Sequence, residues 1–592
     1  MPLPVSSSLD RMLVTRSRKA SPADVTAGQQ SVPWSQTWIK ETRETMRKFL
    51  FIFAFFFVVL PIRATDLYIA QTATGGSTGA DCGDALPYTF FNASANWPSP
   101  IGPGTTVHIC GTITAPAGAS GFLTFHASGA NGNPITLKFE NGAVLTAPYW
   151  GVLGAINIGS NSNVVVDGNS LAGAIQATAN GTGLANQDSN GIGVNLGSVA
   201  NVTVQNLNII NLYVHTCVGA TQANNASPCK DENGGNTAGI QITSPGVGIT
   251  NVTFAGNVVH DVRWGILPAF PSGATSSGYR ITNNLIYNID HGIFMADGNA
   301  NAINNGAIIS GNEVHDMANW DDANDSFHHD GLHISTAHLG SQINGALIYN
   351  NYFHGDPGQH ANTFIYMAGD TDGASLAITG AYVFNNVLAD TSTVNGVANG
   401  YLLDLGQDNF IFNNTIIGSQ QSNSGGVPLQ VGDGGAGGGD QIYNNVLSTG
   451  SIGLYFHETG VAQAIDYNNY YNLTPGRTDD AGTTFDTLSL WHACNTAARG
   501  CPAVHDANST VANPLLNPTS NPPYQLTNSS SAAWQKGVNL SAYCTIVPAA
   551  CFDKLGNARP ATGPWDIGAF ESSKASTGVA PQPPSNLAAT VN

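Results

Sequence analysis

The amino-acid sequence predicts an all-β solenoid of stacked parallel coils, and three observations carry that prediction. A short motif, apolar-x-apolar-x-Asn-x-apolar, recurs through most of the 592 residues. It reads VTVQNLNI around Asn206, VTFAGNVV around Asn257, ITNNLI around Asn284 and IISGNEV around Asn312, and returns around Asn351, Asn386, Asn414, Asn445 and Asn469. Successive markers lie 51, 27, 28, 39, 35, 28, 31 and 24 residues apart, and periods of that size belong to stacked units. The second observation is a Gly-apolar-x-apolar landmark starting at Gly239, Gly265, Gly292, Gly331, Gly400, Gly426 and Gly453. In uninterrupted copies it follows the marker by eight residues, as from Asn257 to Gly265 and from Asn284 to Gly292. The third is that the apolar runs are short and separated by Gly and Asn, the punctuation of strands and turns. One coil has too little apolar face to fold alone, so stacking must pair its strands in parallel and bury a continuous core. One strand stack is expected through Ile240, Ile266, Ile293, Leu332, Leu402, Val427 and Leu454, side chains inward. The recurring Asn suits a tight turn because it tolerates left-handed backbone, and in register its amides can form a ladder.

These residues resemble the right-handed parallel β-helix repeat of the pectin-lyase-like superfamily, over roughly Val164 to Asn472. The resemblance implies a right-handed parallel β-helix with an N-terminal cap and a loop-rich C-terminal cap. It implies no single activity, since that fold hosts lyases, hydrolases, epimerases, adhesins and inert spikes. No catalytic family signature is matched residue by residue.

Taken in order, residues 1–45 have no periodic pattern and read as a non-native upstream extension. Residues 46–64 (MRK, the apolar run Phe49–Leu60, then Ile-Arg-Ala) follow the charged, apolar and cleavage-site order of a signal peptide. The apolar run is 12 residues, too short to span a bilayer. Residues 65–163 are expected to hold the N-terminal cap and first coils, 164–473 the β-helix and 474–571 a C-terminal capping segment. Residues 572–592 resemble a Pro-rich linker and the start of a fibronectin type III module.

Nine of the 19 Lys and Arg and four of the 38 acidic residues precede Thr65. The remainder therefore carries 10 basic and 34 acidic residues, a formal net charge of −24. Such a surface repels nucleic acid and anionic membranes, and takes polyuronates only through bridging cations. Eight cysteines fall into the local pairs Cys82/Cys110, Cys217/Cys229, Cys494/Cys501 and Cys544/Cys551. An even count behind a signal reads as disulfides of a secreted or cell-surface chain. Nearest-neighbour pairing is the expectation among 105 connectivities.

Function is sought where the repeat breaks. From Asn312 to Gly331 there are 19 residues instead of eight, and from Asn206 to Gly239 there are 33. Both insertions leave the coil at the same turn, with two uninterrupted coils between them. Aligning those coils puts Arg263, Asp290 and His329 in one column and Trp264, His291 and Asp330 in the next. Coils stack about 4.8 Å apart, which brings Asp290 and Asp330 within roughly 6 Å at the backbone. The insertion adds Trp320, Asp321, Asp322, Asp325 and His328, and His333 follows on the strand. Asp290 with Asp330 suits a hydrolase carboxylate pair. Alternatively, His291 or His329 acts as base, Arg263 clamps a carboxylate, and Ca²⁺ held by Asp321, Asp322 and Asp325 neutralises charge. Trp264 and Trp320 are candidate sugar platforms. The bland alternatives are an Arg263–Asp290 salt bridge, packing of Trp264, and local turn bonding by the His-Asp pairs three and four residues after a marker, His260-Asp261 and His315-Asp316; His260, His315 and His354 share one column. The reading is a monomeric, secreted β-helix protein that binds and cleaves extracellular polysaccharide, as lyase or glycoside hydrolase. The alternative is a non-catalytic cell-surface or adhesion protein.

Overall fold

The structure is a computed structural model and describes residues 66–179, 190–212, 236–243, 247–297, 300–317, 328–358, 361–369, 377–419, 426–432, 438–456, 464–473, 477–478, 484–485 and 504–572. The expectations for residues 1–64, for Cys217, Cys229, Cys494 and Cys501, for Trp320, Asp321, Asp322 and Asp325, and for 573–592 lie outside the described residues. Among those described, the regular structure is almost entirely strand, with one four-residue α-helix at Thr89–Asn92 and a few short 3-10 helices. None of its helices is long and apolar enough to cross a membrane.

Each coil of the solenoid carries three runs. The first, such as Thr250–Ala255 or Ile308–Ser310, belongs to an 18-stranded sheet. The second and third belong to a 23-stranded sheet. In the two uninterrupted coils they are one continuous strand, Val258–Pro268 and then Leu285–Ala296. In the next coil they separate into Glu313–Met317 and His329–Thr336, with the insertion between. Pairing in the stack is parallel from Asp66–Ala70 against Thr106–Ile109 onward, except for one antiparallel pair, Arg477–Thr478 with Thr484–Phe485, at its far end. The chain is a parallel β-helix, the fold its repeat implied.

Each run contributes an inward column of apolar side chains. The first passes through Val204, Phe254, Ile281, Ile309, Ile348 and Val383. The second passes through Ile209, Val259, Ile286, Val314, Phe353 and Leu388. The third passes through Ile240, Ile266, Ile293, Leu332, Ile365, Leu402, Leu429 and Leu454. All are buried, and each such side chain contributes about 1.5–3 kcal/mol. One member differs from expectation: Val427 pairs with Gly400, and Leu429 occupies the inward position. The glycine landmark slips there by one residue at Gly400 and by two at Gly426. Phe364, Tyr401 and Pro428 stand where earlier coils have glycine, because each precedes the inward residue Ile365, Leu402 or Leu429. In the earlier coils glycine is obligatory on space: a Cβ at Gly292 would lie 2.4 Å from the Gly331 carbonyl oxygen and 2.6 Å from Val314.

The corner between first and second runs is built from two adjacent residues with different tasks. The first takes left-handed backbone, as at Asn206, Gly256, Asn283, Gly311, Asn350, Asn385, Asn413 and Asn444. The second is a fully buried Asn whose Nδ2 donates to the same amide of the next coil. This ladder runs Asn257, Asn284, Asn312, Asn351, Asn386, Asn414, Asn445 and Asn468, with rungs of 2.9–3.1 Å. Each Nδ2 also donates to a carbonyl of the preceding coil, and each rung's Oδ1 accepts the backbone N–H of the rung before, as Asn351 does from Asn312 at 3.0 Å. Two of the marker asparagines are therefore reassigned. Asn206 takes the left-handed position and Leu207 the ladder position, while the final rung is Asn468 in place of Asn469.

Residues 504–572 follow the last coil and then run back along this corner. Asn413 Nδ2 donates to the Asp566 and Gly568 carbonyl oxygens, and Arg559 donates to Asn385 Oδ1 at 2.8 Å. Trp565, Leu540 and Val547 pack on Phe384 and Phe412. The Cys82–Cys110 and Cys544–Cys551 pairs are joined as nearest neighbours.

Two outcomes test this architecture. Asn351→Leu strands the Asn312 backbone and Nδ2 donors in the core and takes a donor from the Ile309 carbonyl oxygen and from Asn386 Oδ1, at about 1–3 kcal/mol per orphaned group. Asn344→Ala, at ordinary strand backbone, removes only surface amide contacts to Asn305 and Gln342, so urea unfolding should show a several-fold larger loss for Asn351→Leu; equal losses would refute the ladder's role. Lys554 donates from Nζ to the Asn350 and Asn351 carbonyl oxygens, and burial pulls its pKa from 10.5 down to about 7 against the pull of Glu313. Because the folded value is depressed, its ammonium opposes folding below about 7, and stability rises as pH climbs from about 7 towards 10.5. Melting temperatures of wild type and Lys554→Met across that window should differ in slope, the variant lacking this rise.

Candidate functional site

The site is built on the third run of three consecutive coils. Strand pairing places Arg263 beside Asp290 and Asp290 beside His329, and it aligns Trp264, His291, Asp330 and Thr363 as the adjacent column. The next outward column is Leu267, Phe294, His333 and Tyr366. Parallel register is what brings residues 27 to 39 positions apart in sequence into contact.

Asp290 is held from two sides. Arg263 Nε donates to its Oδ2 at 3.2 Å, and His291 Nδ1 lies 2.8 Å from its Oδ1. His329 Nε2 stands 3.8 Å from the same Oδ1. Asp330 gathers the other imidazoles on Oδ2: His333 Nδ1 at 2.7 Å, His328 Nε2 at 3.3 Å and His291 Nε2 at 3.6 Å. Its Oδ1 accepts the Thr363 backbone N–H at 3.0 Å and the Thr363 hydroxyl at 2.8 Å. One ring, His291, thus stands between the two carboxylates. Burial alone would raise both carboxyls. For Asp290 the charge of and bond from His291, then His329 and Arg263, outweigh it and hold the group well below the ordinary carboxylate range. For Asp330 the bonds from His328 and His333 do the same. Burial lowers His291, against the raising pull of Asp290 and Asp330.

The carboxylates converge, but they do not floor an open groove. Side-chain exposure is 0% for Asp330, 1% for Asp290, 8% for His291 and 11% for Arg263, against 50% for His328. Solvent therefore meets the cluster chiefly at His328. Beside it lies a strip of rings in which Trp264, Phe294 and Tyr366 are half-buried and His333 is buried. Trp264 stacks on Phe294 at 5.8 Å, Phe294 meets His333 at 4.6 Å, and His333 stacks on Tyr366 at 4.3 Å. The Arg263 guanidinium lies over the Trp264 ring at 4.4 Å. Phe294, Thr363 and Tyr366 were not singled out from the sequence. The signal for Phe294 was present: in Gly-apolar-x-apolar the x residue faces outward, and Phe294 and His333 occupy it. Tyr366 follows the same rule behind Phe364, where the landmark has no glycine.

Four side chains offer metal-ligand atoms within 4.8 Å of one another: His291, His328, Asp330 and His333. A second such group is Glu313, His315 and His354. Its histidines lie in the outward column His260, Tyr287, His315 and His354, stacked at 4.5, 5.0 and 4.8 Å. His260 and His315 bond the aspartates that follow them, Asp261 and Asp316, both in left-handed backbone. That is the local turn bonding the repeat suggested. Asp297 is buried and caps the Ala337 and His338 amides, whereas Asp408 is an exposed left-handed turn residue.

No protein-family model matches the chain, and no curated protein matches it. Solved structures similar to it include XylC in complex with xylose, at 10% identity and TM-score 0.42, covering 86% of this chain and 99% of that one. Pectate lyase Pel9A is 14% identical with TM-score 0.33, covering 86% and 96%. PfbA, a surface adhesin of Streptococcus pneumoniae, is 13% identical with TM-score 0.36, covering 72% and 95%. The place of this chain among parallel β-helix proteins rests on its own strand pairing.

The grip of Thr363 on Asp330 is testable. Thr363→Val keeps the shape and removes one hydrogen bond to a buried charge, which costs about 1.5–3 kcal/mol. Denaturant unfolding should register that loss; unchanged stability would mean that the hydroxyl does not hold the carboxylate.

Proposed function

We propose that this protein acts outside the cytoplasm on an extracellular polysaccharide. The polymer is taken across the outward rings of the third run and cleaved at His328 and the cluster behind it. The observation that supports this reading is a convergent set of two carboxylates and four imidazoles set beside the half-buried strip Trp264, Phe294 and Tyr366. Flat apolar faces with a polar tip suit stacking on sugar rings. Two disulfides fit an oxidising compartment.

Within this reading, proton abstraction by an imidazole fits better than hydrolysis by a carboxylate pair. A glycoside hydrolase needs one carboxyl protonated and both within reach of the scissile bond. Here each carboxylate is committed: Asp290 to Arg263 and His291, Asp330 to Thr363, His328 and His333. Arg263 is engaged with Asp290, which weakens its assignment as a clamp on substrate. A lyase base must reach solvent, and His328 does.

The burial of both carboxylates favours a second reading, a non-catalytic glycan-binding surface protein using the same rings. A panel of acidic and neutral polysaccharides separates the two. The purified chain is followed by ultraviolet absorbance of unsaturated products and by new reducing ends. Cleavage lost in His328→Ala and Asp330→Asn, with folding retained, supports the enzyme. Binding weakened about tenfold by Trp264→Ala with no product from any polymer supports the binder, and no binding to any polymer sinks both.

A further inference from the structure

We propose that His291, His328, Asp330 and His333 bind one divalent transition-metal ion of the zinc class. The donor set is three imidazoles and one carboxylate, which suits Zn²⁺ and its neighbours. It does not suit calcium, which takes six to eight oxygen ligands. Its donors are different residues from Asp321, Asp322 and Asp325, the Ca²⁺ ligands expected from the sequence.

Three features of the cluster go beyond a group of neighbouring side chains. The first is an orphan: His291 Nε2 is buried, has no hydrogen bond among the described residues, and faces Asp330 Oδ2 at 3.6 Å. A buried ring nitrogen in that position is costly unless something takes its lone pair. The second is the support behind the donors. Asp290 engages His291 Nδ1 at 2.8 Å, the carboxylate–histidine arrangement that fixes a ligating ring with its other nitrogen aimed at a metal. Arg263 holds Asp290 from behind, and Thr363 holds the Asp330 oxygen that faces away from the imidazoles. The third is access. His328 is half exposed while the other three donors are buried, so an ion can arrive from the His328 side.

The group at Glu313, His315 and His354 supplies an internal control. It offers three donors instead of four, and none of its ring nitrogens is a buried atom without a hydrogen bond: His354 Nε2 lies 2.9 Å from Glu313 and His315 Nδ1 2.8 Å from Asp316. The proposal rests on the donor set and on no glycan reaction; with the ion bound His328 is a ligand, so its role as base belongs to the metal-free chain. Metal binding is read without any polymer, so failure of the polysaccharide reading and failure of this one are seen separately.

The test is titration of the full, chelator-stripped chain, carrying no histidine tag, with Zn²⁺ alone and with Co²⁺ alone. The expected result is about one ion per chain and the visible bands of a four-coordinate Co²⁺ site. The double variant His291→Ala/His333→Ala should lose at least about 100-fold in affinity, and the supporting variant Asp290→Asn about 10–100-fold. Glu313→Gln/His354→Gln should bind as wild type. No binding to wild type would overturn the proposal, as would affinity lost only in the Glu313/His354 variant, or displacement of Zn²⁺ by an equal concentration of Ca²⁺. If the double variant does not fold, the unaltered chain still decides: Zn²⁺ should slow acylation of His328 by diethyl pyrocarbonate, and an unchanged rate would overturn the site.

Discussion

The asparagine ladder is the constraint on which the rest of this structure depends. A parallel solenoid has to turn a corner in every coil, and each corner leaves backbone donors and acceptors inside the core. Here one amide per coil satisfies its neighbours above and below and a carbonyl of the preceding coil. Removing water from these groups is tolerable because none of the amide's four bonding positions is wasted. The ladder also sets register. A rung displaced by one residue would lose its bonds and would turn every side chain of its run to the opposite face.

Register is in turn what makes a site possible. Outward positions of successive coils stand one strand spacing apart, so a column of unlike residues becomes a line of contacts. Arg263, Asp290 and His329 form one such line, and Trp264, His291 and Asp330 another. The glycines behind them let the backbones approach, since any Cβ there would strike the next coil's carbonyl oxygen. The site therefore stands on rigid strands whose other residues, Ile266, Ile293, Leu332 and Ile365, pack the core on the opposite face.

Two aspartates within contact of one ring would repel strongly in a buried setting. The structure answers with alternation: guanidinium, carboxylate, imidazole, carboxylate, then two further imidazoles. The same alternation commits the carboxylates to their partners, so the cluster's reactive capacity lies with the imidazoles and with whatever they bind. This is why the carboxylate-pair chemistry that suits bare spacing loses ground once partners are known.

The sequence by itself determined the solenoid. Its period, its double-Asn corners and its Gly-apolar-x-apolar runs are local patterns with one physical solution, and six of the eight residues of the inward third column follow from them, Ile365 and Leu429 being the two that do not. The alignment of Arg263, Asp290, His329, His291 and Asp330 was legible for the same reason, because parallel stacking turns a sequence offset into a spatial one. Which of two adjacent asparagines bends the chain and which bonds across coils was not legible, since both residues are Asn in most copies; only backbone dihedral angles and amide partners separate them. Nor was the burial of Asp290 and Asp330, or the grip of Thr363, or the ring strip through Phe294 and Tyr366. Those depend on which way a side chain turns once its coil is packed, and tertiary contacts alone decide that.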